Sequence, residues 1–200
     1  MRLAEFIHKN FVLRRRARII SSHLADLIPK GSRILDVGCG DGLIAQLLMQ
    51  MRPDISVRGI DVLVRESNKI PVEHFDGQRI PYGNVSFDVV LFVDVLHHAE
   101  DPCELLKEAL RVSRKVVLIK DHIQEGFLAG PTLRFMDRVG NLRHGVSCRY
   151  DYWPRQRWFE TFQSLGVKEI EWRQHLGLYP CPSSWIFERS LHFVARLDVE

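Results

Sequence analysis

The sequence predicts an α/β fold built on a doubly wound, mostly parallel sheet. From residue 33 onward, short apolar segments alternate with segments whose apolar residues recur every three or four positions. A glycine-rich turn follows the first apolar segment, and acidic residues follow several of the others. This alternation is typical of parallel strands covered by helices on both faces. In such sheets ligands bind beyond the carboxyl ends of the strands, where the strand order reverses.

Length and composition indicate one domain with an addition. The chain has 200 residues, of which 46% are hydrophobic, enough for one sizeable core. We therefore predict a helical extension at residues 1–30 and a single domain at residues 31–200. The net charge of +3 is too small to indicate a nucleic-acid partner. Four dispersed cysteines without a C-x-x-C pair, and no secretory leader, predict reduced thiols and a cytoplasmic location.

The first thirty residues predict one long or two shorter amphipathic helices that end at Pro29–Gly31. They contain the densest positive run of the chain, Arg14-Arg15-Arg16-Ala17-Arg18. The simpler interpretation of this run is a solvated helix face. The alternative is peripheral docking on an anionic membrane or an anionic substrate.

The rest of the chain can be divided into strands and helices. Apolar runs predict strands at 34–37, 55–60, 70–75, 87–93 and 116–119. Helical periodicity follows at 43–51, 102–112, 128–139 and 155–165, and Asp101-Pro102 is a typical helix start. Two further strands, 167–172 and 191–197, are expected to pair along one edge of the sheet. The spacing leaves only about one helical turn between the second and third strands.

The turn with Gly38, Gly40 and Gly42 limits the kind of ligand. A G-x-G-x-x-G dinucleotide fingerprint would place its third glycine at Leu43, one position later, and Asp41 would repel a pyrophosphate. The G-x-x-x-x-G-K pattern of a P-loop is also missing. The turn therefore favours a nucleoside with a neutral or positive tail.

Carboxylates at the predicted strand ends suit such a nucleoside. Asp61 lies about twenty residues beyond the turn, where an acidic side chain can accept hydrogen bonds from ribose hydroxyls. Asp76 could accept from an adenine amino group, and Asp36 and Asp94 would favour a cationic centre. Three of these also have a plainer interpretation: Asp61 and Asp36 could only shape the turn, and Asp76 before Gly77 is an ordinary turn pair.

Several motifs together resemble one family, the class I S-adenosylmethionine-dependent methyltransferases, and in particular the ubiquinone and menaquinone biosynthesis type. The resemblance covers roughly residues 32–123. Residues 34–42 resemble the first motif and residues 59–61 the second. Residues 75–82 with 86–90 are similar to the third, and Asp94-Val95-Leu96-His97-His98 is similar to the segment after strand four.

This resemblance implies a Rossmann-like, seven-stranded sheet whose last strand is antiparallel, and S-adenosyl-L-methionine as the cofactor. It implies that Gly38 and Gly40 line the methionine part and Asp61 the ribose. Asp76-Gly77 would line the adenine, and Asp94-Val95 the sulfonium region. The complete predicted cofactor set is Asp36, Gly38, Cys39, Gly40, Asp61, Val62, Asp76, Gly77, Asp94 and Val95. Cys39 is also explained simply as a small residue between glycines.

His97 and His98 are the candidate catalytic residues. Methyl transfer to oxygen or carbon requires loss of a proton, which a positioned histidine can accept. Alternatively, donor and acceptor alignment suffices, and these histidines only shape the floor of the site. His122 is a weaker candidate for the same role. Histidine and cysteine spacing matches no common ligand pattern, so the sequence predicts no metal site.

The final third predicts the acceptor. It concentrates aromatic residues, most of them expected in the core and some over an acceptor pocket. With the basic N-terminal run, this favours a small, apolar or lipid-like acceptor and no nucleic acid. Two alternatives stay open: a cofactor-binding module without catalysis, and a nucleic-acid methyltransferase, which is disfavoured because no appended binding module is visible.

Overall fold

The computed structural model describes residues 2–141, 150–167 and 170–199. Seven strands form one sheet in the order β3-β2-β1-β4-β5-β7-β6. Neighbouring strands from β3 to β5 are parallel, whereas β7 is antiparallel to both β5 and β6. The predicted fold class, including the antiparallel last strand, is confirmed.

The elements have the following bounds. The strands are β1 (Arg33–Val37), β2 (Ser56–Asp61), β3 (Val72–His74), β4 (Phe87–Val93), β5 (Ser113–His122), β6 (Ile170–Gln174) and β7 (His192–Asp198). The helices are α1 (Arg2–Leu27), α2 (Leu43–Met51), α3 (Pro102–Val112), α4 (Ala129–Asn141), α5 (Arg155–Ser164) and α6 (Ser184–Phe187). A short 3₁₀ helix (Leu96–His98) follows β4.

The sheet is covered on both faces, which makes it doubly wound. One core contains Leu105 and Ala109 of α3 together with Trp158 of α5. The other contains Leu24 of α1 and Leu48 of α2. The N-terminal helix therefore contributes directly to a core of the sheet.

The strand order reverses beside β1, which pairs with β2 on one side and β4 on the other. Val37 at the end of β1 is in register with Ile60 on β2 and Phe92 on β4. The carboxyl ends of these strands are therefore level and open a crevice at the switch point.

The connection between β2 and β3 is short, as the sequence predicts. Residues 62–71 form turns and bends without a helix. Ile70, which is 5% exposed, packs against the glycine turn, and the Lys69 N–H donates to the Asp41 carbonyl at 2.9 Å. This loop therefore packs against the glycine turn, at Gly42, without a helix.

One strand is longer than predicted. β5 continues past residue 119 through Lys120, Asp121 and His122, all of which are buried. The sequence pattern ended this strand at its last apolar residue. The polar residues stay in the strand because they pair with β7, with His122 opposite His192, and because their side chains find charged partners.

Where the structure describes the chain, it has no helix with both the length and the apolar character needed to span a bilayer.

Candidate active site

The glycine turn brings the end of β1 against the segment after β4. Gly38 has a φ of +72°, which L-residues with a side chain adopt only with strain. Its N–H donates to the Ile60 carbonyl at 2.8 Å. A Cβ atom built on Gly38 would lie 2.6 Å from Cγ2 of Val95, so this position has no room for a side chain.

Asp61 ties the same turn to the end of β2. Its Oδ2 accepts a hydrogen bond from the Gly40 N–H at 2.8 Å, and its Oδ1 accepts from the Leu63 N–H at 2.9 Å. Asp61 thus shapes the backbone, and it also lines the cavity above the turn. Both roles considered for it in the sequence are geometrically compatible.

A cavity of about 480 Å³ lies over the strand ends. Eight of the ten predicted cofactor residues line it: Gly38, Gly40, Asp61, Val62, Asp76, Gly77, Asp94 and Val95. The cavity is also lined by Arg65, Gln78 and Glu100, which were not predicted as site residues. In the sequence, only their nearness to the predicted motifs points to the site.

The other two predicted cofactor residues, Asp36 and Cys39, are not among the residues that line the cavity. Asp36 is 2% exposed, and burial together with the nearby Asp61 raises its pKa to about 7. Burial, Asp36 and Asp61 raise the pKa of the Cys39 thiol. Because that thiol stays protonated, the structure supports the interpretation of Cys39 as a small neutral residue beside the turn.

Asp76 lies in a tight turn at the rim of the cavity. Its Oδ1 accepts hydrogen bonds from the Gln78 and Arg79 N–H groups, both at 2.8 Å, which lowers its pKa. One carboxylate oxygen is thus committed to the turn, and Oδ2 is left for other partners. Asp41, inside the glycine turn, forms an ion pair with Lys69.

Asp94 contacts three basic side chains in a cluster beside the cavity. It has a φ of +56°, and its carboxylate contacts Lys120, Arg16 at 3.6 Å and His122 Nε2 at 3.4 Å. Burial opposes ionisation, but the Lys120 ammonium and the Arg16 guanidinium hold the pKa of Asp94 below its usual value. The carboxylate is therefore charged, with two cations beside it.

The expectation of a solvated basic run is wrong for Arg16, one of its four arginines. Arg16 contacts Asp94 and lies 5.3 Å from the ring centroid of Tyr179, and Arg15 donates to the Gly177 carbonyl at 3.1 Å. Arg14 and Arg18 are exposed. Helical periodicity explains the division, because residue 16 lies one and two turns before the buried residues 20 and 24.

His97 is enclosed between two carboxylates. It is 2% exposed, with Nδ1 2.5 Å from Asp121 Oδ1 and Nε2 3.2 Å from Asp137 Oδ2. Burial alone would lower its pKa, but Asp121 and Asp137 raise it to about 10. At neutral pH the ring therefore carries a proton on each nitrogen and cannot accept another.

His98 reaches the cavity, whereas His97 lies behind it. The His98 side chain is 17% exposed and lines the cavity beside Val95 and Ala99. Its Nε2 is 4.0 Å from Asp137 Oδ2, and its ring centroid is 3.9 Å from that of His97. Of the two predicted catalytic histidines, His98 is the one placed to meet a substrate.

Behind these histidines lies a buried polar network. His122 Nδ1 lies 3.1 Å from His192 Nδ1, and burial and Lys120 lower the pKa of both rings, so they are neutral. The Tyr152 hydroxyl donates to Asp137. In the sequence, three consecutive polar residues after an apolar run, Lys120-Asp121-His122, indicate part of this network. No pattern indicates Asp137, because it lies within a predicted helix.

Known proteins share both sequence features and the fold with this chain. The profile of one family, described as a methyltransferase domain, matches residues 7–170. A SAM-dependent methyltransferase of Thermotoga maritima, described as a possible histamine N-methyltransferase, shares the fold with a TM-score of 0.68 at 19% identity. The alignment covers 99% of this chain and 96% of that protein.

Two curated relatives differ in what they act on. The 27-O-demethylrifamycin SV methyltransferase of Amycolatopsis mediterranei is 31% identical over 48% of this chain and 40% of its own length. The tRNA U34 carboxymethyltransferase of Campylobacter fetus is 25% identical over 81% of this chain and 61% of its own length. The chain thus spans about half the length of these relatives. Because the family profile matches most of its residues, the chain belongs to the methyltransferase-domain family.

Proposed function

We propose that this chain is an S-adenosylmethionine-dependent methyltransferase acting on a small, apolar or lipid-like acceptor by direct in-line transfer. One observation carries the proposal. The cavity at the switch point joins a glycine turn without room for side chains to carboxylates at the ends of neighbouring strands. When bound, the cofactor would supply an electrophilic methyl group on a sulfonium.

The residues around the cavity fit this cofactor. Gly38 and Gly40 would lie along its methionine part, where a Cβ at Gly38 is excluded. Asp61 would accept from the ribose hydroxyls, and Asp76 with Gly77 would contact the adenine. Val95 would lie near the sulfonium. Asp94, already paired with Lys120 and Arg16, would orient ligand atoms more than it adds net negative potential.

His98 would take part in removing the acceptor's proton. It lines the cavity, whereas His97 is held as an imidazolium between Asp121 and Asp137. His97 is better suited to hold Asp137 charged and to support His98 through ring contact. Alignment of the two substrates would supply the larger part of the rate enhancement.

Exposed aromatic side chains support a lipid-like acceptor. Trp153, Trp158 and other aromatics of the last third are core residues, as expected. In contrast, Phe127 is 82% exposed and Trp185 is 73% exposed, an unusual exposure for rings of this size. With the exposed Arg14 and Arg18, they would support peripheral contact with an anionic membrane.

Two assays test the proposal. Calorimetry should show binding of S-adenosylhomocysteine, and incubation with methyl-labelled cofactor and a metabolite and lipid extract should label an organic-soluble product. Binding without any labelled product would favour a cofactor-binding module. Label in added tRNA would favour the activity class of the Campylobacter relative. Failure to bind either form of the cofactor would refute the proposal.

Vesicle sedimentation tests the membrane contact separately. Binding to phosphatidylserine-containing vesicles should weaken as salt rises, because exposed charges are screened within about 10 Å at 0.1 M salt. Arg14→Gln with Arg18→Gln should reduce it, and Trp185→Ser should reduce it independently of salt. Equal binding to neutral vesicles, or none at low salt, would contradict this contact.

A further inference from the structure

Three potential metal ligands converge next to the cavity. Nitrogen atoms of His97 and His98, from the 3₁₀ helix, and a carboxylate oxygen of Asp137, from α4, all lie within 4.8 Å of one another. The sequence predicted no metal site because the spacing of histidines and cysteines along the chain matches no common ligand pattern. The structure adds the third ligand from a distant helix.

The distances suit a small divalent ion. His97 Nε2 and Asp137 Oδ2 are 3.2 Å apart, close to the roughly 3.3 Å between neighbouring ligands of a tetrahedral ion with bonds of about 2.0 Å. His98 Nε2 is 4.0 Å from the same oxygen, so a small side-chain rotation would complete a two-histidine, one-carboxylate set. Among the described residues, His97 Nε2 has no hydrogen bond of acceptable geometry.

Two further groups would orient these ligands. Asp121 Oδ1 lies 2.5 Å from His97 Nδ1, which directs Nε2 towards Asp137. Tyr152 donates its hydroxyl to Asp137 and fixes the carboxylate. A carboxylate behind a ligand histidine and a hydrogen bond to a ligand carboxylate are common outer partners in metal sites.

The charges also favour a dication. The buried carboxyl groups of Asp121 and Asp137 flank His97. Asp94 is balanced by its own contacts with Lys120 and Arg16. An ion of charge +2 held by His97 and Asp137 would therefore lie beside two carboxyl groups that have no Lys or Arg partner among the ion pairs of the described residues.

We propose that His97, His98 and Asp137 bind one divalent transition-metal ion of the Zn²⁺ type. Imidazole nitrogens suit Zn²⁺ and its neighbours and do not suit Mg²⁺ or Ca²⁺, which prefer oxygen ligands. Three protein ligands leave a position open, as in catalytic zinc sites.

The open position gives the ion a role at the acceptor, a role that rests on the proposed function. His98 belongs to the ligand set and also lines the cavity, so the ion would lie next to the cavity, bind an acceptor hydroxyl there and lower the pKa of that hydroxyl. The hydroxyl proton would leave to solvent, and the oxygen would form a bond to the methyl carbon. The carbon–sulfur bond would break with its electron pair moving to sulfur. His98 would thus assist removal of the acceptor's proton by holding the ion.

Metal titration of the chelator-treated chain tests binding directly. Calorimetry with ZnCl₂ should show one equivalent, and CoCl₂ should give the visible absorption of a four- or five-coordinate ion. His98→Ala and Asp137→Asn should abolish both signals. Asp121→Asn should weaken binding by roughly 10- to 100-fold, as outer partners of metal ligands do. The matched control His74→Ala changes an exposed histidine on β3 and should leave binding unchanged.

Several results would overturn the proposal: no binding to the wild type, binding unchanged in His98→Ala, or binding lost in His74→Ala. Circular dichroism verifies folding, and if Asp137→Asn does not fold, the cavity-lining His98 variant decides. S-adenosylhomocysteine binding to the metal-free chain separates the two proposals. If the chain binds S-adenosylhomocysteine but no metal, only the metal-site proposal is refuted. If it binds metal but no S-adenosylhomocysteine, only the proposed methyltransferase function is refuted.

Discussion

The two sides of the site differ in how they are built. The donor side, where we propose that the cofactor binds, consists of the glycine turn and the ends of β2 and β3, and it is held mainly by backbone hydrogen bonds to Asp61 and Asp76. The acceptor side, which we propose to face the acceptor, consists of His97, His98 and their buried partners, and it is held by side chains from distant elements. The donor side is therefore a property of local motifs, and the acceptor side is a property of packing.

The largest expected effect separates the two sides by function. Replacing His98 with Ala should reduce methyl transfer by about 10²- to 10⁴-fold, the usual contribution of a proton-transfer group. S-adenosylhomocysteine affinity should stay within about twofold, because the donor side keeps its backbone hydrogen bonds. Turnover with the identified acceptor and calorimetry measure the two quantities. Equal losses in both would show that the sides are not separable.

At the glycine turn, a substitution should weaken cofactor binding and leave the acceptor side intact. In Gly38→Ala, the new Cβ would lie 2.6 Å from Val95 Cγ2, so S-adenosylhomocysteine should bind on the order of 100-fold more weakly, or about 3 kcal/mol. Gly31→Ala is the matched control, because Gly31 has a similar φ of +67° and a Cβ added there would meet no atom within 4 Å. Equal loss of affinity in both variants would attribute the effect to backbone strain alone.

A smaller effect is expected for Asp61→Asn. The amide keeps the shape but loses a charge that strengthens hydrogen bonds to Gly40, Leu63 and the proposed ribose, so affinity should fall by about 10-fold, or roughly 1.4 kcal/mol. Calorimetry with S-adenosylhomocysteine measures it. Asp26→Asn, at an exposed side chain on α1, should have no effect. Unchanged affinity in Asp61→Asn would leave Asp61 with a role in turn geometry only.

A different kind of change concerns pH and the buried Asp36, near the end of β1. Because the pKa of Asp36 rises from 3.8 to about 7 on folding, the folded state holds the proton more tightly between these values. Its contribution to stability is therefore present at low pH and is lost as pH rises towards 7, by about 1.4 kcal/mol for each unit of difference in pKa.

Asp36→Asn should remove this part of the pH dependence, since an amide cannot ionise. Urea unfolding at several pH values should show the variant gaining stability relative to the wild type as pH rises. A parallel pH profile in both proteins would show that Asp36 is charged or neutral in both states alike.

The predicted and observed structures differ where polar residues are buried. The mostly parallel sheet, the helix start at Asp101 and the turn with Gly38 follow from local patterns, and the structure agrees with them. The end of β5 and the inward position of Arg16 do not follow from them. From sequence alone, a polar side chain is predicted to be exposed unless its partner is known. The partners of Arg16 and Asp121 are Asp94 and His97, which lie far from them in the chain.

The sequence by itself determined the α/β fold, the position of the ligand crevice and the likeness to methyltransferases, because these depend on apolar periodicity and on glycines and carboxylates a few residues apart. Only the tertiary structure decided which histidine meets the cavity. It also decided that Asp121 and Asp137 enclose the other one, and that Arg16 balances Asp94. The physical reason is that the charge and accessibility of a buried polar group depend on neighbours that packing brings together.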